Sequence, residues 1–260
     1  MNSHVPIVRA IMGRRILVNF RIRPDVVAPL LPDPFRPKLV AGWAIGGICL
    51  IRLENMRPIW LPGALGVASE NAAHRIAVSW TENGLEREGV FIPRRDTNSV
   101  LNCVAGGRLF PGVHHPAKFV CAQDGNRYEV VLRSRDGETR VSVAARITQD
   151  WPAGSVFKSL AEASEFFRCG GCGWSPTNNG ACEGVELQTD NWKMHALAVE
   201  RAESSFFTDP RRFPHRSVEF DSALLMLDIP HRWRALGAFG NSTQGHADNY
   251  RRTIPFFEMP

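Results

Sequence analysis

Residues 128–147 read "YEVVLRSRDGETRVSVAARI", and this stretch decides the class of fold. In "YEVVLRSR" and "TRVSVAARI" apolar side chains recur at every second position, the period of a strand that packs one face on a core. Between the two arms stands Asp136-Gly137. Glycine takes positive φ there without steric cost, so the arms fold back on each other as an antiparallel hairpin.

Strand character extends from this hairpin in both directions. Upstream, "HRIAVSW" (74–80) and "EGVFIP" (88–93) read as strands joined through Asn83-Gly84, a second turn dipeptide. Farther upstream, "RRILVNFRIR" (14–23) sets an apolar strand core between basic ends, and "PDVVAPLLPDPFRP" gives a short helical pattern closed by prolines. "LVAGWAIGGICLIRLENM" is an apolar run broken by Gly42, Gly46 and Gly47, which marks a bent or closely packed strand. Downstream, "SLAEASEFFR" (159–168) is a short helix with Ser159 as N-cap and Glu162 three residues on. The stretches "EGVELQTDNWKMHALAVERAESSFF" and "SVEFDSALLMLDIPHRW" mix strand alternation with a short helix. No linker, composition break or internal repeat divides the chain, so one mostly β (α+β) domain with a few short helices is expected over residues 1–260.

The bulk properties are those of an ordinary globular protein: 260 residues, 44% apolar and 22% charged, enough to bury a sizeable core. No run reaches the roughly 18 to 20 apolar residues of a membrane span, and the start "MNSHVPIVRAIMGRR" lacks the order of a signal peptide. A cytoplasmic location is therefore expected, with the six cysteines as thiols. Of the 31 basic residues only Lys38, Lys118, Lys158 and Lys193 are lysines. Arginine grips phosphate bidentately, yet these arginines lie scattered in ones and twos, with no basic run and no nucleic-acid module. Neither a nucleic-acid nor a membrane partner is expected; the oligomeric state stays open, a homo-oligomer included.

The segment "EFFRCGGCGWSPTNNGACEG" (165–184) raises the question of a metal, because Cys169 and Cys172 have the C-x-x-C spacing of zinc sites. Cys182 follows without a second C-x-x-C or H-x-x-x-H, and His195 or His215 would have to complete the set. Gly170, Gly171 and Gly173 support a bent loop carrying ordinary cysteines, with a reactive thiol or a zinc-stabilised docking loop as the alternatives. No P-loop, G-x-G-x-x-G or G-x-S-x-G occurs, and no metal or other cofactor is expected.

Polar equipment concentrates in "SENAAHRIAVSW" and "REGVFIPRRDTNSVLNCVAGGRLFPGVHHPAKFV". Glu70, His74 and Arg75 stand at the start of one strand; Arg94, Arg95, Asp96, Asn98 and Asn102 follow another; Arg108, His114, His115 and Lys118 close the segment. Such residues could line one pocket for a small carboxylate or keto acid, since arginine holds a carboxylate by two parallel hydrogen bonds while Glu or His moves a proton. The plainer reading makes Arg94-Arg95-Asp96 a surface ion-pair cluster and the paired histidines solvated.

Four segments carry a resemblance: "ILVNFRIRPDVVAPLLPDPF", "SENAAHRIAVSW", "GVFIPRRDTNSVLNCVAGGRLFPGVHHPAKF" and "GACEGVELQTDNWKMHALAVE". In this order the chain resembles the YqjF-like, DUF2071-type family of uncharacterised proteins, within the acetoacetate-decarboxylase-like superfamily, over roughly residues 14–235. The resemblance implies an antiparallel β-barrel or sandwich with short helices around a small-molecule cavity. In the decarboxylases a lysine of a Pro-Lys-Lys stretch forms a Schiff base, a neighbouring lysine lowers its pKa, and a glutamate assists. Here Pro116-Ala117-Lys118 stands in that place, with Ala117 at the Schiff-base position and Lys118 matching the helper; Glu70 is similar to the assisting glutamate. Trp192 matches an aromatic position and is expected as a pocket wall, or else as a core tryptophan. The cysteine segment matches one that is not organised around thiols.

Two functions follow. One is a lyase-like enzyme for a small oxo acid or carbonyl compound, with Glu70, His114, His115 and Lys118 as catalytic candidates and Arg75, Arg94, Asn98, Arg108 and Trp192 as binding candidates. The other is a non-catalytic protein that binds a small molecule in the same cavity.

Overall fold

The computed structural model describes residues 8–62, 66–100, 103, 112–177, 180–189 and 191–239. Its strands are β1 (Val8–Ile22), β2 (Arg36–Pro37), β3 (Leu39–Val40), β4 (Trp43–Pro58), β5 (Val67–Glu82), β6 (Leu85–Thr97) and β7 (His114–Asp124). They continue with β8 (Arg127–Ser134), β9 (Arg140–Thr148), β10 (Cys172–Pro176), β11 (Cys182–Gln188), β12 (His195–Ser204) and β13 (Val218–Phe239). Both expected hairpins are present. β8 pairs antiparallel with β9 across the turn holding Gly137 at φ 77°. β5 pairs with β6 through Asn83 and Gly84 at φ 52° and 77°, the two positive values that a two-residue turn of this hand needs.

Hydrogen-bonded neighbours run β6-β7-β8-β9-β12-β13-β1-β4-β5, and β5 pairs back onto β6. The sheet therefore closes into a nine-stranded barrel. The expected barrel is found, with one difference: β6 and β7 run parallel. A closed ring with an odd number of strands cannot alternate direction throughout, so at least one neighbouring pair must be parallel. The β10–β11 ribbon bridges β6 and β13 beyond the stretches that pair with β7 and β12, β10 parallel to β6 at Val90–Phe91 and β11 antiparallel to β13 at Arg232–Phe239.

Apolar residues pack on both sides of the wall. One cluster fills the interior with Ile16, Val18, Ile48, Leu50, Ile76, Val78, Phe91, Val130, Leu132, Val143 and Leu225. A second lies outside, where Leu17, Ile45, Cys49, Ala73, Ala77, Leu224 and Met226 meet Phe157, Ala163 and Phe167 at the helix Leu160–Cys169. Strands covered on both faces read as continuous apolar runs, which is why "ILVNF", "AIGGICL" and "ALLML" lack alternation while β8 shows it. The helix begins where expected, Ser159 Oγ accepting from the Glu162 amide at 3.2 Å.

The cysteine segment departs from the loop expectation. Cys169 ends the helix, Cys172 opens β10 and Cys182 opens β11. Of the glycines that suggested a loop, Gly170 and Gly171 do lie in the connection between the helix and β10, whereas Gly173 lies within β10, where a Cβ would sit 2.9 Å from Ile92 Cδ1. Among the described residues no group of three or more His, Cys, Asp or Glu side chains is placed to hold a metal, and no helix is long and apolar enough to cross a membrane.

Close approach to backbone is tightest at Gly47, opposite Asn19, where a Cβ would lie 2.3 Å from the backbone oxygen of Val18. Backbone cannot yield as a side chain can, so Gly47→Ala should lower stability by about 1 to 3 kcal/mol in denaturant unfolding. Gly154→Ala, with nothing within 4 Å of its Cβ, should leave the midpoint unchanged. A second expectation concerns acid. Burial holds His74 down at about 3, reinforced by Arg94 and Arg212, and holds His231 down at about 4, with Arg15 adding to burial. Below about pH 6.5 the unfolded chain takes up these protons more readily than the fold. Stability should therefore fall on acidification toward pH 4, by about 1.4 kcal/mol per pH unit for each histidine. His74→Gln should flatten the dependence of the melting temperature on pH between 6.5 and 4; an unchanged slope would contradict the assignment.

Candidate functional site

Every second residue of β5 points inward, and the chemistry changes along that row. Trp80, Val78 and Ile76 stand at one end with the aromatic cluster of Phe35, Phe91, Trp174 and Phe239, whose ring centroids lie 4.2 to 6.1 Å apart. His74 follows, fully buried, 4.7 Å from the Phe206 ring and hydrogen-bonded to Ser204 Oγ at 3.1 Å. Beyond Ala72 comes Glu70, a carboxylate only 5% exposed. The interior is thus plugged with aromatic rings at one end and charged at the other.

Glu70 is held from two strands. Arg14 of β1 donates to Oε2 at 2.6 Å, and Arg52 of β4 donates to Oε1 at 3.3 Å. In the strand register Arg14 faces Arg52 and Arg52 faces Glu70, so the three form one row across β1, β4 and β5. Arg14 also reaches Cys121 of β7 at 3.7 Å, a contact across the barrel, since β1 and β7 are not neighbours. Asn98 fixes the backbone of Glu70, its Oδ1 accepting from the Glu70 amide at 2.9 Å and its own amide donating to the Glu70 carbonyl at 3.1 Å.

The charged band continues into β6 and β7. Asp96 stands beside Ala72, a diagonal neighbour of Glu70 at about 7 to 8 Å, and His115 faces Asp96 in the parallel register. Arg94 bridges two carboxylates, donating to Asp96 at 2.7 Å and to Asp136 at 2.8 Å. Burial raises Asp96 above the ordinary carboxylate value despite Arg94. Asp136 is also raised by burial, but the bonds from Ser134, the Glu138 amide and Arg94 outweigh that and leave it lowered. His115 Nδ1 lies 3.2 Å from Asp136; burial and then Arg94 lower its pKa, more than Asp136 raises it, so the ring is neutral at pH 7.

The candidate residues are thereby divided between two faces. Glu70, Arg94 and His115 share the inner face, with Asn98 at its rim. Arg75 lies on the other side of the wall, because its neighbour His74 points inward; it packs under Phe167 and bonds Cys49. His114 faces Arg95 rather than Asp96. Trp192 lies outside the barrel, its indole donating to Ser164 at 3.1 Å. Lys118 is exposed, and the buried Ala117 holds the adjacent inward position. Arg108 and Asn102 lie outside the described residues. Arg14 and Arg52 were not among the candidates. Their signal was parity: Arg14 is two residues from Ile16 and Arg52 two from Leu50, arginines in line with an apolar stripe.

Comparison with known proteins agrees with this architecture. An acetoacetate decarboxylase-like enzyme from Sphingomonas wittichii RW1 superposes with a TM-score of 0.55 at 12% identity, covering 91% of this chain and 92% of that one. Acetoacetate decarboxylase from Legionella pneumophila gives 0.54 at 12% identity over 90% and 88%. The enduracididine biosynthesis enzyme MppR, complexed with pyruvate, gives 0.52 at 12% identity over 92% and 91%. At such identities the likeness establishes the fold. Among curated proteins no sequence matches. The sequence model of DUF2071, an uncharacterized conserved protein family, matches residues 12–220, and the chain, an acetoacetate-decarboxylase-like barrel in fold, belongs to that family.

Proposed function

We propose that the charged end of the barrel binds a small oxo acid or related carbonyl compound, its carboxylate taken by Arg14 and Arg52, with Glu70 moving the proton. The observation that carries this reading is the Arg14–Glu70–Arg52 row, with Arg14 and Glu70 buried and Arg52 partly exposed, inside a strand-built shell. Arg14 Nε is buried without a hydrogen-bond partner among the described residues, so the guanidinium has capacity beyond Glu70. A substrate carboxylate arriving there competes with Glu70 for the arginines. The released Glu70 oxygen then accepts a proton from the carbon next to the carbonyl, the C–H electron pair passing to the carbonyl oxygen as an enolate. His115, neutral and one step along the band, serves as the second proton-handling group, with Arg94 orienting it through Asp136. Arg108, on the connection between β6 and β7, is retained as a further anion-holding candidate.

No amine enters this mechanism. Lys118 is exposed and Ala117 takes the inward position, so the proposal is acid–base chemistry without a Schiff base. The solved relatives support the substrate class: two are decarboxylases or decarboxylase-like by name, and MppR holds pyruvate.

Pyruvate serves as the test compound. Calorimetry should detect its binding, and proton NMR in deuterium oxide should show exchange of its methyl protons. Glu70→Gln should slow that exchange by about 100-fold or more. Arg52→Gln, at a guanidinium 43% exposed, should weaken binding at least tenfold (about 1.4 kcal/mol) while leaving the circular dichroism spectrum intact. Lys118→Ala should change neither. Unaltered binding and exchange in both of the first two variants would refute the site, as would a borohydride-trapped pyruvate adduct on Lys118. Binding without exchange would select the non-catalytic reading.

A further inference from the structure

A second polar cluster lies on the opposite face of the same wall, beneath the helix Leu160–Cys169. Arg75 is only 2% exposed. Its Nε donates to Cys49 Sγ at 3.1 Å, one terminal nitrogen donates to Asn19 Oδ1 at 2.5 Å, and its guanidinium lies under the Phe167 ring at 4.6 Å. The other terminal nitrogen is buried without a partner among the described residues. Arg15 stands beside it, and among the described residues its hydrogen bonds go to sulfur alone: Cys49 and Met226, each at 3.8 Å. Its face is turned to the Trp192 ring at 5.9 Å, and its Nε is buried and unpartnered.

Charge balance is the unusual feature. Among the described residues neither Arg15 nor Arg75 has a carboxylate within 4 Å, whereas across the wall Arg14 is paired with Glu70 and Arg94 with Asp96 and Asp136. The residues lining a cavity of about 10 Å³ here include Arg15, Arg75 and Lys38 against a single acid, Glu88, which Lys38 already engages. Arg75 is a desolvated cation and Arg15 beside it is partly buried, and such charges without counter-charge are costly unless an anion accompanies them. Cys49 is the nearest group that could supply one: burial raises its thiol, but Arg75 and Arg15 outweigh burial and leave it lowered. A single thiolate would still leave one positive charge over, and two unpartnered guanidinium nitrogens. With about 10 Å³ open to the centre of a water-sized sphere, the cavity takes one small monatomic particle, and a polyatomic anion such as sulfate, phosphate or a substrate carboxylate is too large for it. Water itself would satisfy a hydrogen bond but not the charge.

We infer that this cavity is a binding site for one small monovalent anion of the halide class, held by the edges of Arg15 and Arg75 while Phe167 and Trp192 cover their faces. Because Phe167 belongs to the helix and Trp192 is tied to Ser164 within it, occupancy of the site fastens the helix to the barrel wall. The site is separate from the barrel interior, and its failure would leave the reading of Glu70 untouched.

Two measurements on the full chain test it, and both must succeed. In thermal melts, sodium chloride should raise Tm in a saturating manner above sodium gluconate at equal ionic strength, because gluconate is too large to enter. Arg75→Gln and Arg15→Met should lose that chloride-specific rise, and Lys118→Ala should keep it. A crystal of the wild-type protein soaked in sodium bromide should show an anomalous peak between the Arg15 and Arg75 guanidiniums, a readout that does not depend on any variant folding. Superimposable melts in the two salts, or a cavity without a bromide peak, would overturn the inference; the latter would assign the counter-charge to the Cys49 thiolate alone.

Discussion

Closure of the strand ring is the constraint from which the rest of the molecule follows. Once β5 pairs back onto β6, every residue of the nine strands points either into the barrel or away from it, and neighbouring residues have opposite fates. Glu70 and His74 go in, Arg75 goes out; Ala117 goes in, Lys118 goes out. The ring also draws Arg14, Arg52 and Glu70 from three strands into one row at a single level. The buried Glu70 carboxylate is stable because that level supplies guanidiniums to it, and removing Arg14, the buried partner at 2.6 Å, would leave Glu70 with only the partly exposed Arg52.

The interior has two unlike ends for the same reason. Aromatic side chains from Phe35, Trp80, Phe91, Trp174 and Phe239 pack edge to face and tilted, and fill one end. The other carries Arg14, Arg52, Glu70, Asp96 and His115 as a band across β1, β4, β5, β6 and β7. A register irregularity between Met12 and Arg14 turns the row of β1: Met12 lies in the outer cluster, whereas Arg14 faces inward, and the Glu54 carboxylate lies 3.0 Å from where a Cβ on the intervening Gly13 would stand. Local backbone irregularity therefore helps aim the arginine that holds Glu70.

What could be read from sequence alone follows from which signals are local. Asn83-Gly84 and Asp136-Gly137 fix their hairpins through the backbone angles of two residues, and Ser159 with Glu162 fixes a helix start, so these elements were legible. The family resemblance supplied the barrel. Facing was not legible, because residues 72–78 are all buried and a doubly covered strand gives no alternation by which to sort His74 from Arg75. The candidates were accordingly gathered into one pocket, although the wall separates Arg75, His114 and Trp192 from Glu70 and His115. Arg14 and Arg52 were overlooked as basic strand residues, when their two-residue spacing from Ile16 and Leu50 placed them on the inner stripe. The cysteine segment misled because only its Gly170–Gly171 step is a bend, while Gly173 serves close packing against Ile92 inside β10.

The central claim is that Arg14, Arg52 and Glu70 form a receptor for a small carboxylate inside the barrel. A crystal structure of the full chain grown with pyruvate tests it most directly. The account predicts density for one pyruvate on the inner face, its carboxylate within hydrogen-bonding distance of the Arg14 and Arg52 guanidiniums and its methyl carbon turned to Glu70. An undisturbed Arg14–Glu70 pair, with pyruvate bound instead at Lys118 or nowhere in the barrel, would contradict it.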